Sequence, residues 1–99
     1  MVDVMVVGEL GFSAPQVVDA LWSEVDDLDV AVAELFDEGI TREGTALCFD
    51  LTVGLPSEAN LDLQGWLEDA AEQAIEGSLE VAQDDERVRM DAGGGETPL

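Results

Sequence analysis

The chain opens on Val2 to Val7, which is apolar on both alternating sets: Val2, Val4 and Val6 on one, Met5 and Val7 on the other. A strand buried on both faces belongs at the centre of a sheet. The stretch Gly8-Glu9-Leu10-Gly11-Phe12 reads as a loop into a helix. Ser13 with Gln16 three residues later forms a capping-box pattern. Val17, Val18, Leu21, Trp22 and Val25 then share one helical face. Asp26-Asp27 ends that helix, because acids oppose the dipole at a helix C-terminus.

Leu28 to Phe36 reads as a second strand, with Val30 and Val32 on one face and Ala31, Ala33 and Leu35 on the other. Asp37 to Gly44 is a polar connection. Thr45 to Leu55 carries the clearest strand pattern, Leu47, Phe49, Leu51, Val53 and Leu55 alternating with Ala46, Cys48, Asp50, Thr52 and Gly54. The short link predicts that these two strands pair as a hairpin.

Pro56 to Ala59 is a linker, and Asn60 is placed to cap a second helix over Leu61 to Glu76. Its apolar face is Leu63, Trp66, Leu67, Ala70, Ala71, Ala74 and Ile75. Gly77 suits the helix C-terminus. Ser78 to Gln83 is a final strand with Leu79 and Val81 inward. Asp84-Asp85-Glu86 is a turn, and Arg87 to Asp91 extends or pairs with that strand. Residues 1–91 are thus one α+β domain, and 92–99, with Gly93-Gly94-Gly95, a flexible Gly-rich tail.

The order β-α-β-β-α-β resembles the ferredoxin-like split β-α-β sandwich, a name used for topology alone. The resemblance implies an antiparallel sheet with two helices on one face, held through Trp22 and Trp66 among others, and with the first and third strands central. The opposite face stays open. Around Val4, Val6, Ala46 and Cys48 it is too apolar to face water, so it is a candidate interface.

Charge changes the picture more than any motif. There are 24 Asp and Glu against 3 basic residues, with no His, for a net charge of −21 over 99 residues. Nucleic acids, acidic membranes and phosphorylated ligands are repelled by such a surface. At 46% hydrophobic the chain is too apolar for an acidic disordered tail, so the acids belong on the surface of a fold. Their mutual repulsion weakens that fold in dilute salt, and added salt relieves it. The absence of Lys and the spread of acids through every segment fit salt adaptation, in the cytoplasm of a salt-accumulating cell or in a virion. The alternative is an acidic decoy: Glu68, Glu72 and Glu76, at i, i+4 spacing, would imitate phosphates and block a basic nucleic-acid-binding protein.

Catalytic chemistry finds little to work with. Cys48 is alone, which leaves no internal disulfide and no cysteine metal set, and a nearby Asp50 opposes thiolate formation. Ser13, Ser23, Ser57 and Ser78 lack a His or Lys base. Asp26, Asp27 and Asp29, and Asp84, Asp85 and Glu86, cluster without the Gly and distal Glu of a calcium loop. Gly8 and Gly11 before a helix offer backbone N–H groups but no Lys for a phosphate. No apolar run approaches a membrane span, and Val2 to Val7 lacks the basic start of a signal peptide. The expectation is a non-enzymatic module, without metal or cofactor. It joins copies of itself or a larger protein assembly, as a regulatory or structural component, through the open sheet face. A small-ligand-binding domain or enzyme using that face as a pocket floor is the third reading.

Overall fold

The computed structural model describes residues 1–28, 30–84 and 86–99. The elements run β1 (Val2–Gly11), α1 (Pro15–Ser23), a 3-10 turn (Glu24–Asp27), α2 (Val30–Glu38), β2 (Ile40–Glu43), β3 (Ala46–Leu55), α3 (Ser57–Gln73), β4 (Glu76–Gln83), β5 (Glu86–Asp91) and β6 (Gly95–Pro98). The strands form one antiparallel sheet in the order β2-β3-β1-β4-β5-β6. The fold is therefore α+β with an open six-stranded sheet and three helices. It is not the plain β-α-β-β-α-β arrangement: a helix is added before β2 and two strands follow β4.

The added helix replaces the strand expected over Leu28 to Phe36. Alternation in this stretch is ambiguous because nearly every residue is apolar. The buried set, Val32, Leu35 and Phe36, has i, i+3, i+4 spacing, while Val30 is 73% exposed. That is a helical face, and the two alanines favour helix. The strand falls instead within the expected polar connection, at Ile40–Glu43, where only Ile40 is buried. It pairs with β3 as a hairpin.

β1 runs through the segment expected as a loop and reaches Gly11. Two glycines permit this. Gly8 has φ +138°, and a Cβ there would sit 2.3 Å from the Ser78 carbonyl oxygen. Gly77 has φ +95°, and a Cβ there would sit 2.1 Å from the Glu9 carbonyl oxygen. The β1 and β4 backbones approach too closely at this point for side chains. Gly77 is thus a strand residue rather than a helix cap, and α3 stops at Gln73.

Two expected caps also move. Ala14, not Ser13, occupies the N-cap of α1, with Pro15 at the helix start, where its missing N–H costs nothing. Asn60 lies inside α3, buried, where its amide donates to Gln83 Oε1 at 2.7 Å and its Oδ1 accepts from Gln64 Nε2 at 3.2 Å. It ties α3 to the end of β4. Ile75, expected on the buried helix face, is 64% exposed because the helix has already ended. Within 92–99, residues Gly95–Pro98 pair with β5 as a sixth strand.

The helices pack on one face of the sheet. There Val4, Val6, Leu10, Leu47, Phe49, Leu51, Leu55, Leu79, Val81 and Met90 are all buried. Trp66 centres the packing. Its indole N–H donates to the Leu21 carbonyl at 2.9 Å, its ring meets Phe36 edge-on at 4.7 Å, and Phe36 in turn meets Trp22 at 5.5 Å. Edge-to-face pairs at these distances stabilise beyond their buried area. Every Asp and Glu whose burial is described is at least partly exposed, and among the described residues Asn60 is the buried polar one.

Candidate functional site

The strand register separates the two faces of the sheet residue by residue. Val4 lies opposite Val53, and Val6 opposite Leu51 and Val81, all on the helix-covered side. Met5 lies opposite Thr52 and Ala82, Val7 opposite Asp50 and Glu80, and Glu9 opposite Cys48 and Ser78, on the other side. The four residues expected to form one interface are thus split. Val4 and Val6 are 1% and 0% exposed beneath the helices, whereas Ala46 and Cys48 are half-buried on the open face.

Directly beside Cys48 stand Glu9 on β1 and Thr41 on β2. The nearest apolar residues of the same face are Val7, one row away, and Met5 with Ala82, two rows away, all half-buried. The sequence held the signal. Asp3 and Glu9 share the alternating set of Met5 and Val7, while Leu10 and Phe49 continue the set of Val4 and Val6. A set flanked by charges faces water. Arg87 and Arg89, spaced two apart on β5, complete the face. Arg87 lies 3.6 Å from Glu80, and Arg89 Nε donates to Asp91 at 2.9 Å. The third cation, Arg42, is on the opposite side and pairs with Asp19 of α1.

Partial burial, then the Glu9 and Glu43 carboxylates, push the Cys48 thiol above its ordinary value. The acids responsible lie on the neighbouring strands, not at Asp50. Cys48 is held as a neutral thiol, a poor nucleophile.

Of the carboxylates expected to make a decoy ladder, Glu68 and Glu72 lie one turn apart on α3, exposed, while Glu76 is on β4. The ladder is two carboxylates long. Both line a groove of about 590 Å³ between α3 and the 3-10 turn, with Glu24, Asp69 and the apolar Leu28 and Leu61. Partial burial and then Asp69, through charge and a hydrogen bond, raise the Glu24 carboxyl, with a further contribution from Asp27.

Asp84, with φ +50°, accepts a hydrogen bond from the Asp3 N–H at 3.3 Å, a structural use of a turn acid. Asp29 and Asp85 of the two expected clusters lie outside the described residues. Among the described residues, no three His, Cys, Asp or Glu side chains converge to hold a metal ion, and no helix is long and apolar enough to cross a membrane. A scan against family models finds no match, and searches of curated proteins and of solved structures find none.

Proposed function

We propose that this chain is a non-enzymatic, salt-adapted assembly module that associates with copies of itself through the open sheet face. The observation that supports this reading most directly is the half-buried patch of Met5 and Val7 on β1, Cys48 on β3 and Ala82 on β4, with no described helix above it. Half-exposed apolar side chains grouped at a sheet centre gain stability when another surface removes them from water. The acids over the rest of the surface hold the assembly in solution, and concentrated salt screens those that border the apolar patch, among them Glu9, Asp50 and Glu80, so that copies can associate. A regulatory role and a structural role in a larger particle, such as a virion, both fit this mechanism.

Cys48 reports on the face directly. In molar KCl, its alkylation rate is expected to fall as protein concentration rises, in step with the gain in mass. A rate independent of concentration while the mass doubles would place the interface elsewhere. The decoy reading keeps Glu68 and Glu72 but loses Glu76. It predicts one-to-one capture of a basic protein, lost with Glu68→Gln and Glu72→Gln.

A further inference from the structure

Resting on the reading that the open face binds a second copy, the arrangement of charge across that face fixes how the copy is oriented. One row across the sheet reads Asp50 on β3, Val7 on β1, Glu80 on β4 and Arg89 on β5. The row has an anion at one end and a cation near the other. In a chain with 3 basic residues, two of them, Arg87 and Arg89, sit on this face, and both are on β5. We propose that two copies pack face to face about a two-fold axis parallel to the strands, between β1 and β4, so that Arg89 of each protomer meets Asp50 of its partner.

The geometry follows from the register. Rotation about an axis along the strands preserves position along them and reverses order across them. β5 of one protomer then lies over β3 of its partner, and β1 over β4. Arg89 faces Asp50, and Met5 faces Ala82. A two-fold running across the strands places β5 on its own copy instead. That sets Arg near Arg and the Asp50 of one copy towards the Asp50 of the other, which disfavours it. Packed sheets rotate by about 30° relative to one another, a displacement that an Arg side chain spans. Arg89 is 53% exposed at its side chain and its Nε is held by Asp91, which presents the rest of the guanidinium to a partner. Six strands at about 4.8 Å spacing and up to ten residues long give a face of the order of 600 Å² in projection. Side-chain relief brings this near the roughly 800 Å² per partner of a standard interface.

The test is a charge swap read by sedimentation equilibrium at the lowest KCl concentration at which the wild type dimerises. Circular dichroism confirms that each variant is folded. Arg89→Asp and Asp50→Arg each place like charges at both symmetric contacts, and each should weaken the homodimer by about tenfold or more. An equimolar mixture of the two variants restores an opposite-charge pair at both contacts and should dimerise like the wild type, as should the double variant. If the single variants dimerise unchanged, or the mixture is no tighter than either alone, the arrangement is wrong. Loss of the dimer with Val7→Glu then shows that the face itself is still the interface. If the wild type is monomeric at every KCl concentration, both the arrangement and the self-association reading fall.

Discussion

Val6 and Val7 are neighbours in sequence and lie on opposite faces of the sheet, so the same substitution at each should have unrelated consequences. Val6 is fully buried beneath the helices, opposite Leu51 and Val81. Val6→Glu forfeits about 1.5–3 kcal/mol of side-chain burial. It also buries a carboxyl without a partner, at about 1–3 kcal/mol even when protonated, and overfills the site by a similar amount. The total of about 3.5–9 kcal/mol is comparable to the whole stability of a domain this size, about 5–15 kcal/mol. Val6→Glu is therefore expected to be largely unfolded. Val7→Glu places its carboxylate on the open face between Asp50 and Glu80. Each like-charge cross-strand neighbour costs about 0.2–1 kcal/mol, and molar KCl screens much of that. The fold should survive while self-association is lost. Urea unfolding followed by circular dichroism in molar KCl, with mass by light scattering, reads both effects. A folded Val6→Glu beside an unfolded Val7→Glu would refute the assignment of faces, and a folded, dimeric Val7→Glu would refute the interface.

Other consequences are local. Asn60→Ala removes the link between α3 and Gln83 and leaves the half-buried Gln64 and Gln83 amides without that partner. It should cost about 1–3 kcal/mol, read as a fall in Tm of about 4–8 °C per kcal/mol. An unchanged Tm would show that this link is not a structural tie. The Glu24 carboxyl is raised above its usual 4.5, so between 4.5 and the raised folded value the folded chain holds a proton that the unfolded chain has released. The stability from this group is complete below 4.5 and is lost as pH rises through the raised folded value. Glu24→Gln should therefore stabilise the protein near neutral pH in dilute salt, by about a few tenths of a kcal/mol as for an exposed pair. The gain should vanish in acid, and a gain independent of pH would contradict the assigned cause. Gly77→Ala puts a methyl 2.1 Å from the Glu9 carbonyl oxygen at a positive φ, so the β1–β4 pairing should loosen. Hydrogen exchange at the Glu80 and Ala82 amides, which face β1, should quicken, and unchanged protection would show that the strands can part without cost.

Strict alternation made β3 legible, and the i, i+3, i+4 set of Leu63, Trp66, Leu67 and Ala70 did the same for α3. Both patterns separate polar from apolar residues cleanly. The segment 28–36 was not legible as a helix because its apolar residues populate the strand period and the helix period together. Only the packing of Val32, Leu35 and Phe36 against the Trp66 cluster chooses between them. The same ambiguity hid the face of β1. With Val2, Val4, Val6, Met5 and Val7 all apolar, the outward set is revealed by Asp3 and Glu9 at its ends, a signal lost once residues 8–12 are read as a loop. β6 carries one strand former, Thr97, and its pairing with β5 depends on tertiary context that propensity does not register. The cationic half of the candidate site was written in the spacing of Arg87 and Arg89, but its meaning required knowing that β5 lies two strands from β1.

In the proposed dimer another copy closes the open face of an acid-coated sheet once salt removes the repulsion between copies. Native mass and folded fraction, measured together by light scattering and circular dichroism from dilute to molar KCl, test it most directly. The chain should gain structure and then double in mass as KCl rises, with Val7→Glu gaining structure at the same concentrations but remaining a monomer. A well-folded monomer throughout the series would contradict it.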